Sequence, residues 1–559
     1  MDLGEDAEDD PAAVVTLILN GVDITCTVAP AVIFYNVYEC GSTDEDTASE
    51  TVDTSAAGAN VLIADGTINN VTGSYVARIY DPDSVVLSED GMTVEDSGKL
   101  HKYDGAFYSK MSMNVDGGEA GTGVLNITAD NEGLDTELHL TINGGTINIT
   151  SGNDGINTNE DNVSVTTVNG GSVNIQVTGE TGEGDGIDSN GWLVINGGAV
   201  TAAACSDSGD AGIDATMGIT INGGTVTAKA ATSGSAQGAG IGAGSDDIGG
   251  DIIITGGIVT ATGNDEGGAG IGAGSCTAVG STRKDGKIGD ITITGGVVNA
   301  SGGRNSAGIG YGNNCKEVGT ITISGGAVTA TGNNTDGIRG YNDETDFSTG
   351  QDGSALILAS SISDKFSRED WSGIIFEGNA GQLYGNPTLN MDAAIPSGKI
   401  LTIPENSVLT IGSGKTLTNN GTIGAYGEIS GTLTNHGTIM VGPDGSVPSG
   451  SGGSVIPFPY DETYLDASGT PQNIPTTGTR YLLPEMSVLT GGWYVVRVDV
   501  TLPERLTVTG DVHLILMDGC KLDAQEGITV NESDSLTIYA QSNDEAQMGV
   551  LTATSKRFE

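Results

Sequence analysis

Positive charge is what this chain lacks most: 21 Lys and Arg stand against 73 Asp and Glu, a formal net charge of −52. A field of that sign repels phosphate backbones and anionic lipid surfaces, so nucleic acid is excluded as a partner. A polyanionic ligand would reach such a surface only through bridging cations. Aromatic residues make up 4% of the 559 positions, too little bulk for a set of ordinary single-core domains. The six cysteines form no C-x-x-C pair and no Cys/His cluster, which argues against zinc and against a thioredoxin-like redox motif. Long apolar runs are missing too. The best candidate, residues 12–19, falls well short of the ~20 residues that cross a bilayer, so no membrane insertion is expected. The first residues carry neither a basic n-region nor an apolar h-region, so a secretory leader is expected to lie upstream or to have been removed.

Glycine, by contrast, is abundant at 90 residues, and much of it falls in a repeat. An Ile/Val-Asn/Thr/Ser-Gly-Gly phrase has its first Gly at 144, 170, 197, 223, 256, 295 and 325, in steps of 26, 27, 26, 33, 39 and 30, with an earlier copy at Gly117. These are coil lengths, not hairpin lengths. Apolar residues alternate on either side, as in Leu138, Leu140 and Ile142 before the turn and Ile147 and Ile149 after it. That is the period-two pattern of strands with one buried face. A second phrase lies on the far side of each coil: Gly133-Leu134-Asp135, Gly155-Ile156-Asn157, Gly186-Ile187-Asp188, Gly212-Ile213-Asp214, then Gly240-Ile241-Gly242, Gly270-Ile271-Gly272 and Gly308-Ile309-Gly310.

The expected fold is all-β, a right-handed parallel β-helix whose stacked coils make Ile ladders inside and Asn, Thr and Asp ladders outside. The hand follows from the general preference of parallel crossovers. Residues 1–350 would form the main β-helix, with an acidic solvated loop near 44–53, and residues 351–442 tighter terminal coils. Residues 443–479, rich in Pro, Gly and Ser, read as a linker. Residues 480–559 read as the start of a second, truncated β-rich unit.

The second phrase gives two columns of oxygen ligands on successive coils: Glu132, Asp154 and Asp185 in one, Asp135, Asn157, Asp188 and Asp214 in the other. Read singly, an Asp-Gly marks a turn. Read as a column about one strand spacing apart, the carboxylates would repel strongly unless they share a hard cation. With no His or Cys nearby, Ca²⁺ is the expected cofactor. For stacking against sugar faces the sequence offers Trp192, His139 (which aligns with Trp192 one coil pair earlier), Tyr311 and Tyr341. Cys276 and Cys315 each follow an Ala-Gly-Ile-Gly corner in adjacent coils, which makes a disulfide between them feasible.

The run from Val124 to Val226, with Asn153-Asp154-Gly155-Ile156, Gly184-Asp185-Gly186-Ile187-Asp188 and its repeated Ile-Asn-Gly-Gly, resembles a carbohydrate-binding β-helix family of surface proteins from anaerobic Gram-positive bacteria. The resemblance extends over about residues 10–350. It implies a right-handed β-helix similar to pectate lyases, bound Ca²⁺, and a secreted or cell-surface protein that binds pectic or cellulose-like plant cell-wall polysaccharide without cleaving it. The Gly-rich coils after Asp214 depart from the acidic pattern. A polyuronate lyase is the enzymatic alternative, since Ca²⁺ can acidify a C5 proton for a Lys or Arg base. The only candidates for that base near the columns are Lys102, Lys110 and Arg339, none of which recurs beside Asp154 or Asp185, so binding is favoured over catalysis. A purely structural adhesin shaft is the third reading.

Overall fold

The computed structural model describes residues 1–75, 85–88, 90–96, 103–179, 184–205, 210–231, 237–276, 278–279, 282–283, 287–315, 317–340, 347–348, 355–363, 371–484 and 486–554. The chain is all-β. Among the described residues the one helical segment is a single 3-10 turn, Ala7–Asp9. It divides into two compact units, Met1–Gly350 with Ile357–Ser367, and Gln351–Leu356 with Arg368–Glu559.

In the first unit each coil contributes one strand to each of three parallel sheets. One coil runs Leu140–Ile142, Thr146–Ser151 and Ile156–Thr158, and the next begins at Val165–Val168. The first sheet has 11 strands and the third has 10. Pairing is parallel from coil to coil, and equivalent residues stack in register: Ile142, Val168, Ile195, Ile221, Ile254, Ile293 and Ile323 in the first sheet. Ile147, Val173, Val200, Val226, Val259, Val298 and Val328 do the same in the second. In the third the inner ladder is Phe107, Leu134, Ile156, Ile187, Ile213, Ile241, Ile271, Ile309 and Ile338. These side chains are at most 1% exposed, and each contributes ~1.5–3 kcal/mol of burial. This is the parallel β-helix arrangement that the alternation and the period require.

The Asn-Gly-Gly phrase makes the corner between the first and second sheets. Its second Gly takes a left-handed φ of 79° to 83° at Gly145, Gly171, Gly198, Gly224, Gly257, Gly296 and Gly326, where a side chain would be strained. Its Asn stands outside and hydrogen-bonds the next: Nδ2 of Asn169, Asn196 and Asn222 each donates to the Oδ1 of the preceding rung at 2.9 Å. A second Asn ladder, Asn70, Asn126, Asn148 and Asn174, runs up the second sheet with the same spacing.

The second unit also contains parallel coils, and they are shorter: Leu401, Ile423 and Ile439 stack in one sheet, 22 and then 16 residues apart. Residues 443–479, expected to be a linker, are packed instead. Ser454–Ile456 extends that sheet, Thr463–Leu465 pairs antiparallel with Pro471–Asn473, and Phe458, Tyr464 and Ile474 join the unit's hydrophobic core. The apolar residues between the prolines are what the Pro/Gly/Ser reading overlooked. Parallel strands resume at Thr479–Tyr481, Val488–Val496 and Leu506–Leu516 and share the same core.

Candidate functional site

The outer register of the third sheet carries the acidic phrase. Tyr108, Asp135, Asn157 and Asp188 are directly paired rungs. Asp214 follows, since Ile187 pairs with Ile213. The column Glu132, Asp154 and Asp185 lies three residues earlier on the same strands and their approach. The Asp135 column is stacked rung on rung as the spacing predicts, and beside the other column the Gly133 N–H bonds the Asp154 carbonyl and the Gly155 N–H that of Asp185.

Their environment is less open than an exterior ladder suggests. Glu132, Asp135, Asp154, Asn157 and Asp214 are buried, Asp135 completely, while Asp185 and Asp188 are half-buried. The carboxylates fasten one coil to the next. Oδ1 of Asp154 accepts the Asp185 N–H at 2.7 Å, Oδ1 of Asp185 accepts the Ala211 N–H, and Oδ2 of Asp214 accepts the Gly244 N–H at 3.1 Å. Asn157 donates to Glu132 Oε1 at 3.2 Å, and Asn159 donates to Asp135. Burial pushes the carboxyls of Asp154, Asp185 and Asp214 well above the ordinary range, and repulsion from neighbours, Asp188 first for Asp154 and Asp214 and Asp214 first for Asp185, pushes them further.

Two buried oxygens on the ladder accept no hydrogen bond: Oδ1 of Asn157 and Oδ1 of Asp214. A buried acceptor without a donor costs ~1–3 kcal/mol, and a hard cation would relieve both that cost and the mutual repulsion. Among the described residues no three His, Cys, Asp or Glu side chains gather closely enough to hold a metal ion by themselves. A cation would therefore draw on the Asn157 amide oxygen and backbone carbonyls as well as on carboxylates. The donor set is oxygen only, which fits Ca²⁺.

The ladder ends where the phrase turns to Gly-Ile-Gly. Gly242, Gly272 and Gly310 occupy the rungs after Asp214 with φ of 137°, 136° and 126°. A Cβ at Gly242 would stand 1.9 Å from the carbonyl oxygen of Gly272, so no acidic side chain fits there.

The expected sugar-stacking residues separate. Trp192 is half-buried at the start of an interior strand of the first sheet, between Val165 and Gly218, four residues after Asp188. His139 is not on the surface as expected. It is 2% exposed, with Nε2 3.1 Å from the Ser42 carbonyl oxygen, because residues 41–54 lie over the first sheet. Glu45 accepts from Asn162, Glu50 from Thr220, and Thr54 bonds Asn114 and Thr141. The acidic loop is solvated as expected, with Asp44, Glu45, Asp46, Glu50 and Asp53 exposed, and it also straps several coils together. Tyr311 is covered by the Arg339 guanidinium at 5.1 Å and bonds Thr335. Tyr341 and Lys102 lie outside the described residues. Of the remaining candidate bases, Lys110 is paired with Glu8 at 2.6 Å. Arg339 stands four rungs beyond Asp214, roughly 19 Å at one strand spacing per rung. Cys276 and Cys315 are joined by a disulfide, Cα to Cα 4.8 Å.

Sequence reasoning missed Tyr108, the rung before Asp135, which stands with Tyr35 and Tyr103 at the N-terminal end of the ladder. The step of 27 that links Gly117 to Gly144 also links Tyr108 to Asp135, and it would have found the position.

Fold and ladder together define a parallel β-solenoid with one acidic, oxygen-rich face confined to its first coils. A family model described as carbohydrate-binding domain-containing protein matches residues 6–305, more than half of the chain and the whole of that face. The chain belongs to this family, and carbohydrate binding is its functional class. No curated protein and no solved structure matches it. No helix among the described residues is long and apolar enough to cross a membrane.

Proposed function

We propose that the chain is a non-catalytic, Ca²⁺-assisted polysaccharide-binding protein, secreted or displayed at the bacterial cell surface, that takes acidic glycans such as those of plant cell walls. The observation that carries this reading is the ladder itself: stacked carboxylates forced together in a buried site, with the unpartnered acceptors Asn157 Oδ1 and Asp214 Oδ1 beside them. Asn157 and Asp214 are the rungs on either side of Asp188, so a cation would sit between Asp188 and one of them, with Asp154 and Asp185 alongside. A bound divalent cation supplies the positive charge that the chain's own side chains lack. Asp188, half-buried, is the rung from which such a site faces solvent, and Trp192 is the nearest of the candidate aromatics in sequence. Binding is favoured over β-elimination because the described basic candidates are committed elsewhere, Lys110 to Glu8 and Arg339 to Tyr311 and Asp336.

The test is retention of the full chain on immobilised polygalacturonate. Retention with Ca²⁺ that is abolished by chelator and weakened at least tenfold in Asp188→Ala supports the reading. Equal retention in chelator, or steady growth of unsaturated-product absorbance, overturns it.

A further inference from the structure

At the N-terminal end of the acidic ladder lies a cavity of about 500 Å³, within the ~300–1,000 Å³ range of small-ligand sites. Three tyrosines form its apolar side. The rings of Tyr35 and Tyr103 meet edge to face at 6.2 Å, and Tyr103 leans on Tyr108 at 4.8 Å. Tyr35 and Tyr103 are half-buried, so their rings are reachable, whereas Tyr108 is 4% exposed. Burial first and Glu137 second keep the Tyr108 phenol protonated, and it donates to Glu137 Oε1 at 3.0 Å. Lys110 stands 5.3 Å from the centre of the Tyr35 ring and pairs with Glu8. Glu160 also borders the cavity.

We infer that this cavity is a second glycan subsite, which seats one neutral pyranose residue against Tyr35 and Tyr103 and bonds its hydroxyls to Glu8 and Glu137, with no need for a cation. The inference rests on the carbohydrate-binding class of the chain but not on Ca²⁺. Three constraints select the ligand. Aromatic faces flanked by carboxylate acceptors suit a ring with C–H groups on one side and hydroxyl donors at its rim. Glu8, Glu137 and Glu160 outnumber Lys110, so a uronate would be repelled. An ammonium ligand would have to displace Lys110, which already occupies the cation position over Tyr35. Tyr108 is the rung next to Asp135, so the cavity lies beside the N-terminal end of the acidic column.

The experiment is calorimetric titration of the full chain, in chelator, with neutral tetrasaccharides of β-1,4-linked glucose, galactose, mannose and xylose. At least one is expected to bind, with affinity at least tenfold weaker in Tyr35→Ala and nearly unchanged in Tyr35→Phe, which keeps the ring face. Glu137→Gln gives a second, ring-independent loss while circular dichroism remains that of the parent chain. Binding of none of the four, or binding indifferent to both Tyr35→Ala and Glu137→Gln, overturns the inference. Either outcome leaves the Ca²⁺-dependent retention of polygalacturonate to be judged on its own.

Discussion

Stability against pH is where the acidic ladder makes its strongest demand. Asp154, Asp185 and Asp214 have carboxyls raised well above 3.8, by burial first and by neighbouring carboxylates second. In the metal-free folded chain they hold protons that the unfolded chain gives up. Between pH 3.8 and their raised values the folded state therefore binds more protons than the unfolded state, and stability must fall as pH rises through that window. Each unit of upward shift on one carboxyl corresponds to about 1.4 kcal/mol, and three such groups stand in adjacent coils. A cation that binds only the folded chain works in the opposite direction: at about 100 times its dissociation constant it adds about 2.7 kcal/mol, or ~3–5 °C in Tm for a unit of this size. The assay is thermal unfolding followed by circular dichroism from acid to neutral pH, in chelator and in excess Ca²⁺. In chelator, Tm should drop towards neutrality. Ca²⁺ should restore it there and have little effect in acid, where protons occupy the same oxygens. The triple variant Asp154→Asn, Asp185→Asn, Asp214→Asn should lose both responses. A Tm that rises with pH in chelator, or melting curves at neutral pH that superimpose with and without Ca²⁺, would refute the reasoning.

Two further consequences concern the scaffold. Ile187 is fully buried between Ile156 and Ile213 in the inner ladder, so Ile187→Ala should cost ~2–5 kcal/mol in urea unfolding, and a loss below about 1 kcal/mol would contradict the stacked register. The Cys276–Cys315 bridge closes 39 residues, for which chain entropy gives roughly 4 kcal/mol. Cys315→Ser, or reduction of the parent chain, should lower Tm by several degrees, and an unchanged Tm would show that the bridge adds nothing.

The fold was legible because a solenoid writes itself into the sequence many times. One Ile-Asn-Gly-Gly corner is ambiguous with a hairpin, but seven in coil-length steps are not. The Asp135-Asn157-Asp188-Asp214 rung followed from that register alone. Burial did not. Period-two patterning says which residues point away from the core but not what lies over them, and residues 41–54, remote in sequence, cover the first sheet. That is why His139 was expected outside and stands 2% exposed against the Ser42 carbonyl. The tyrosine cavity was hidden for the same reason, since Tyr35, Tyr103 and Glu8 come from irregular opening coils that the repeat does not index. In the second unit, prolines and serines masked the sparse apolar residues Phe458, Tyr464 and Ile474, which suffice to anchor the segment.

One sheet thus holds two kinds of corner, and the difference is steric before it is chemical. At Asp214 the backbone tolerates a side chain, and the carboxylate reaches forward to bond the Gly244 N–H. One rung later, Gly242 adopts a φ of 137° and its coil lies so close to Gly272 that a Cβ would collide with a carbonyl oxygen. Any side chain at Gly242, Gly272 or Gly310 would force the coils apart, so the acidic register has to stop at Asp214 however favourable a further ligand would be. The proposed cation-dependent binding would accordingly be confined to the coils between Glu132 and Asp214. In the coils beyond them the disulfide from Cys276 to Cys315 ties one turn of the solenoid to the next.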